Sequence, residues 1–130
     1  MRAARIHAYG GPEVFSIDEV PTLEPSDLTP TQVLVEVHAS SVNPIDCKIR
    51  KGVLRAGLRY ELPRAIGMDV SGVVLAVGSA VTRWKVGDHV FASPNPKTPG
   101  TYAERTIVEA NELGRKPKSL PHEEAASLPL

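Results

Sequence analysis

The 130-residue sequence contains a single cysteine, Cys47, so an intrachain disulfide is impossible and a zinc lobe built from several cysteines is excluded. Blocks of like charge are also missing. Fifteen lysines and arginines meet fifteen aspartates and glutamates, for a formal net charge of zero. No stretch therefore offers the electrostatic footprint that nucleic acid or an anionic membrane would need. The locally basic run Lys48, Arg50, Lys51, Arg55 and Arg59 reads as a solvated helix and loop. No apolar run approaches the roughly eighteen residues that span a bilayer. Met1 to Tyr9 alternates too many polar groups for a signal peptide. These absences lead to the expectation of a cytoplasmic protein with neither a nucleic-acid nor a membrane partner.

The usual nucleotide-binding signatures are absent too. Gly67, Gly72 and Gly78 are spaced too widely for G-x-G-x-x-G, and Gly72 sits within an apolar run rather than opening a helix. There is no G-x-x-x-x-G-K-[ST] loop. The 130 residues lack the ordinary means of cradling a pyrophosphate.

What the sequence has in quantity is punctuation: twelve prolines and ten glycines cut it into short pieces, a β-rich signature. Strands are predicted at Arg2 to Ala8, Val14 to Val20, Gln32 to Val42, Val70 to Val77, Gly87 to Ala92 and Tyr102 to Val108. In the third, Val33, Val35 and Val37 should face one way and Leu34, Glu36 and His38 the other. Asn43-Pro44-Ile45-Asp46 supplies a capping residue, a proline for the first helical position and an acid for the first turn. With Ile45 and Ile49 on one face and Gly52 to end it, a short helix is predicted over 44–51. A second should run from His122 to Leu128. The pattern implies a mainly β protein, a partly open β-barrel with one or two short helices. Residues 1–120 should form the domain. Residues 121–130 break off within an apolar stretch, as though beginning a connection to a further domain.

Two stretches carry a family resemblance. Ser41-Val42-Asn43-Pro44-Ile45-Asp46, followed by Lys48-Ile49-Arg50-Lys51-Gly52, resembles the active-site helix of quinone oxidoreductases. Gly67-Met68-Asp69-Val70-Ser71-Gly72-Val73-Val74 with Gly78, then Val86-Gly87-Asp88-His89-Val90, is similar to the signature of the medium-chain dehydrogenase/reductase superfamily. Gly100-Thr101-Tyr102-Ala103-Glu104 resembles that family's strand after a proline loop. The resemblance implies a GroES-like barrel followed by a Rossmann domain, with the cofactor between them. It also implies NADPH-dependent reduction of a quinone or an α,β-unsaturated carbonyl, by an enzyme that is a homodimer.

The departures from zinc-dependent relatives are informative. Asn43 and Met68 stand where those relatives place a cysteine and a histidine, and neither is a good ligand for a catalytic zinc. No metal site is therefore expected. Cys47, Asp69 and His89 could be grouped as an improvised one, but Cys47 reads better as a small residue on the helix, Asp69 as a loop hydrogen-bonder and His89 as a strand residue. His7, His38 and His122 are also expected to be surface or strand residues rather than ligands.

Without zinc, hydrogen-bond donors must stabilise the charge that develops on the substrate oxygen. The candidate catalytic residues are Tyr60 and Asn43, and the candidate cofactor-binding residues are Asn43 and Asp46. Tyr60, or an ordered water, would supply the proton. Each has a structural rival: Asn43 as a helix cap, Asp46 as a partner of the helix dipole, Tyr60 as a packed aromatic. Two other functions stay open at this point, a non-enzymatic binding module and a piece of a zinc-type alcohol dehydrogenase.

Overall fold

Short apolar runs between glycines and prolines become eight strands in the computed structural model, which describes Met1–Leu130. They are β1 (Arg2–Ile6), β2 (Phe15–Glu19), β3 (Gln32–Ala39), β4 (Arg64–Ala65), β5 (Val70–Val77), β6 (His89–Ala92), β7 (Arg105–Glu109) and β8 (Gly114–Arg115). Helix α1 spans Pro44–Lys51 and helix α2 His122–Ala125. One sheet has the order β2-β1-β4 and the other β7-β3-β5-β6-β8. Every pairing is antiparallel. A bridge between Ala3 and Ala103 links the first sheet to the approach of β7. The result is the expected mainly β architecture, with open sheets.

The larger core lies on one face of the five-stranded sheet, where Val33, Val35, Val70, Val74, Trp84, Val90, Ala92, Val108 and Leu113 are all buried. Burying an aliphatic side chain of this size contributes about 1.5–3 kcal/mol. The Trp84 indole N–H, which burial would otherwise leave unpaired, donates to the Ala110 carbonyl at 3.0 Å. Gly72 is required within β5 because a Cβ there would collide with the Glu36 carbonyl oxygen on β3. A second, smaller core of Ile6, Ile49, Ile66 and Met68 seats α1.

The helix over 44–51 and the strand over Val70–Val77 lie where the sequence places them. Other boundaries need correction. β3 stops at Ala39, so Ser40 to Val42 form a connector into α1. The last long strand begins at Arg105, not Tyr102, and α2 is a single turn ending at Ala125. Leu34 was assigned to a polar face with Glu36 and His38, yet it is fully buried. Its strand is covered on both faces at that point, so simple alternation fails. The two-residue strands β4 and β8 are too short to leave a periodic signal.

Helix α2 is tied to the sheet by histidines. Ser71 Oγ lies 2.6 Å from His122 Nδ1 and 3.4 Å from the Val90 carbonyl oxygen. A carbonyl only accepts, so Ser71 donates to Val90 and receives the His122 Nδ1–H. His122 Nε2 is then bare and accepts from His89 Nδ1 at 3.0 Å, while the His38 ring packs 4.6 Å away, centroid to centroid. Burial lowers the His122 pKa, and His38, Lys116 and His89 lower it further against the opposing charge of Glu123. The unfolded chain, with an ordinary histidine pKa of about 6.5, therefore binds the proton more readily than the folded one. Stability from this site is complete above that value and is lost as pH falls through it. Thermal unfolding followed from pH 7.5 to about 5.5 should show the melting temperature dropping by roughly a few degrees, with a flatter profile in His122→Gln. Equal slopes in the two proteins would remove His122 from this role.

Candidate functional site

The site is assembled around the start of α1. Asn43 has an extended backbone, Pro44 opens the helix, and Asn43 and Asp46 form a reciprocal capping box. The Asn43 backbone N–H donates to Asp46 Oδ2 at 2.8 Å, a charge-assisted cap. Gly52 closes the helix in the left-handed region with φ 78°, and Ile49 buries its inner face. The prolyl start and the glycyl stop fix the helix position, and with it the direction in which Asn43 projects.

A second segment meets it from below. Asp69, immediately before β5, is fully buried. Its Oδ2 accepts from Ser41 Oγ at 2.6 Å and from Asn43 Nδ2 at 2.8 Å. Its backbone carbonyl accepts from Ser40 Oγ at 2.6 Å, and Ser40 is 2.9 Å from Thr101 Oγ1. The Tyr102 hydroxyl donates to the Ser41 carbonyl at 3.1 Å. Thus the connector after β3 and the cap of α1 meet on the Asp69 carboxylate, and the Gly100–Tyr102 segment joins them through Ser40 and Ser41.

Acceptors outnumber donors here. Asp46 Oδ1 and Asp69 Oδ1 are both buried and without a hydrogen-bond partner. Burial raises the Asp46 pKa, the Asn43 N–H and the nearby Tyr102 hydroxyl oppose that shift, and the Asp69 charge adds to it. Burial also holds the Tyr102 phenol well above its ordinary range, helped by the negative charge at Asp46. Unpartnered buried oxygens of this kind call for a donor.

Tyr60 packs in the same apolar cluster, with Ile49, Met68 and Tyr102. Its hydroxyl donates to the Pro96 carbonyl at 2.6 Å. The Arg64 guanidinium lies over its ring, 4.1 Å from the centroid, and itself donates to the Thr98 carbonyl. Burial raises the Tyr60 pKa against the opposing charge of Arg64. The structure therefore joins Asn43 and Asp46 directly and sets Tyr60 beside them, held against the proline loop. Cys47, Asp69 and His89 do not meet. Cys47 is half-buried on α1, Asp69 is enclosed by Ser41 and Asn43, and His89 is exposed at the start of β6 against His122. No group of three or more His, Cys, Asp or Glu side chains is arranged to hold a metal ion. Sequence reasoning missed Ser41 and Tyr102, although both lie within stretches that carry the family resemblance. Two open surface depressions of about 570 and 550 Å³, lined around Glu36–His38 and around Thr82–Arg83, include none of these site residues.

Residues 29–118 match the alcohol dehydrogenase GroES-like domain. The chain belongs to that family. This GroES-like domain is 44% identical over 112 residues to the human mitochondrial NAD(P)H oxidoreductase RTN4IP1, covering 77% of the chain and 28% of that relative. It is 39% identical over 136 residues to the chloroplastic NADPH-dependent alkenal/one oxidoreductase of Arabidopsis thaliana, covering all of the chain and 34% of the relative. Among solved structures it matches the quinone oxidoreductase of Coxiella burnetii at TM-score 0.90 and 36% identity, covering 99% of the chain and 41% of that protein. The chain spans about a third of the length of the curated relatives it matches. The relatives and solved structures that it resembles include quinone oxidoreductases of the medium-chain dehydrogenase/reductase superfamily.

Gly67 connects this domain's backbone geometry to its site. Its φ is 116°, and a Cβ there would strike Thr101 Oγ1 and lie 2.6 Å from the Tyr102 ring. Gly67→Ala should cost about 2–3 kcal/mol in denaturant unfolding. An unfolding free energy within about 0.5 kcal/mol of the wild type would show that the loop bearing Asp69 yields freely.

Proposed function

We propose that this domain forms the catalytic wall of an NADPH-dependent oxidoreductase that reduces a quinone or an α,β-unsaturated carbonyl. In this reading the pyrophosphate is held by a Rossmann domain outside the 130 residues, and the cofactor lies in the cleft between the two. One observation carries the reading: Asn43, half-buried, stands over two buried carboxylates whose free oxygens are unpartnered. The half-buried Asn43 amide is the polar group of this cluster that a nucleoside cofactor, itself carrying hydroxyl and amide groups, can reach. The names of the relatives, one NADPH-dependent and acting on alkenals and alkenones, support the cofactor and the substrate class.

The residues divide the work. Asn43 contacts the cofactor and also borders the reacting centre, while Asp46, expected from the sequence to touch the cofactor, is buried beneath it and acts by holding the Asn43 backbone N–H. When bound, the nicotinamide supplies hydride to a quinone or to the β-carbon of an enone. The chain's own task is to orient that encounter and manage the resulting negative charge. Tyr60 supplies the proton, its hydroxyl turning from the Pro96 carbonyl towards the substrate oxygen. A phenol pKa raised by burial keeps that proton in place until the charge appears. Zinc has no part. An amide and a thioether, Asn43 and Met68, occupy the two ligand positions, and Asn43 is already committed to Asp69. A donor set of that chemistry does not fit the ion. The whole enzyme is proposed to be a homodimer.

The enzyme containing this domain should oxidise NADPH in the presence of a small quinone or enone and ignore simple alcohols. Tyr60→Phe should lower kcat about 100-fold, the usual worth of a general acid, with cofactor affinity within about twofold of the wild type. Steady-state kinetics alongside NADPH titration measures both. Unchanged turnover would return Tyr60 to packing and leave water as the proton source.

A further inference from the structure

Asn43 could present either end of its amide to a ligand, and the two ends have opposite chemistry. An amide nitrogen donates and an amide oxygen accepts. Which one faces the cleft depends on what holds the other. Asp69 is a carboxylate that only accepts, and it is fully buried between Ser41 and Asn43. The Ser41 hydroxyl gives its one proton to Asp69 Oδ2 at 2.6 Å, so towards Asn43 it too can only accept, at 3.4 Å. Both neighbours therefore demand the nitrogen end. On the other side Asn43 takes part in the α1 capping box, where an oxygen is wanted over the helix N-terminus. The flipped amide would set its oxygen against the Asp69 carboxylate and waste both hydrogen bonds.

We infer that Asp69 is a positioning residue that fixes the polarity of Asn43: both amide protons are spent inside the protein, and what the half-buried side chain keeps for a ligand is the second lone pair of its capping oxygen. The group recognised by Asn43 is then a donor, a ribose hydroxyl or carboxamide N–H of the cofactor, and not the substrate carbonyl. Substrate polarisation falls to Tyr60 or water. This rests on the cofactor reading above and assigns to Asp69 a task that its place in the loop before β5 did not reveal. It also accounts for a costly feature. A fully buried carboxylate is retained where a neutral residue would avoid its desolvation penalty, because only an obligate acceptor removes the ambiguity of the amide.

The test uses the complete enzyme for kinetics and the present chain for spectroscopy. Asp69→Ala should raise the KM for NADPH about tenfold, the loss of one oriented hydrogen bond, with kcat within about twofold. Asp69→Asn, whose amide oxygen can take over both donors, should restore KM to within about threefold of the wild type. In the chain itself, the side-chain NH2 of Asn43 should show slowed solvent exchange by nitrogen-15 NMR, lost in Asp69→Ala and kept in Asp69→Asn. If Asp69→Ala does not fold, the Asp69→Asn exchange rate decides alone: fast exchange there overturns the assignment. A fall in kcat with cofactor KM unchanged would make Asn43 a donor to substrate and overturn it too. An enzyme that ignores NADPH altogether, with slow Asn43 exchange intact, would instead refute the cofactor reading and leave the orientation standing.

Discussion

One buried carboxylate, Asp69, sets the geometry on which the rest of the site depends. It is the point where the end of β3, the start of α1 and the start of β5 are joined by side chains rather than by a sheet ladder. A backbone ladder fixes strands in register but says nothing about a side chain beyond the sheet edge. Charge-assisted hydrogen bonds, shorter and stronger than neutral ones, perform that second task. Removing such a carboxylate would unpair Ser41 and Asn43 together, so its loss should be felt at the cleft before it is felt in the sheets.

Electrostatics marks the same place. Two carboxylates, Asp46 and Asp69, are withdrawn from water and each keeps one oxygen without a partner. Burial raises the Asp46 pKa, and the charge of Asp69 adds to that shift. The apolar cluster beneath, with Ile49, Met68 and the two tyrosines Tyr60 and Tyr102, gives the arrangement a rigid floor. Tyr60 is additionally anchored through Pro96 and Arg64, so its ring position is fixed even where its hydroxyl hydrogen can turn.

Much of this was legible in the residues, for identifiable reasons. Asn43-Pro44-Ile45-Asp46 encodes a helix start through local chemistry alone, and the helix forms where that chemistry puts it. The apolar run Val70–Val77 reads as a buried strand because both its faces are covered over much of its length. Tertiary features were not legible. Leu34 is fully buried on the face that alternation assigns to polar residues, so its burial comes from the fold and not from the local pattern. The contact between His122 and Ser71 joins residues 51 positions apart. Asp69 read correctly as a hydrogen-bonder in a loop, but its partners, Ser41 and Asn43, lie 28 and 26 residues back. The gathering of Asn43 and Asp46 was local and visible, and the bond from Asn43 to the remote Asp69 was hidden.

In the proposed reading the GroES-like domain supplies orientation, and its sequence carries neither of the usual glycine-rich phosphate-binding motifs. In nucleotide-binding proteins that use the Rossmann fold, the phosphates bind at a glycine-rich turn and a helix N-terminus. A wall that offers only contacts near the nicotinamide should have little affinity for the cofactor by itself. Calorimetric titration of the folded 130-residue chain with NADPH measures this directly. The account predicts no binding at micromolar cofactor. Stoichiometric binding in the micromolar range would mean that the phosphates find a site within this domain, and would contradict the division of labour between two domains.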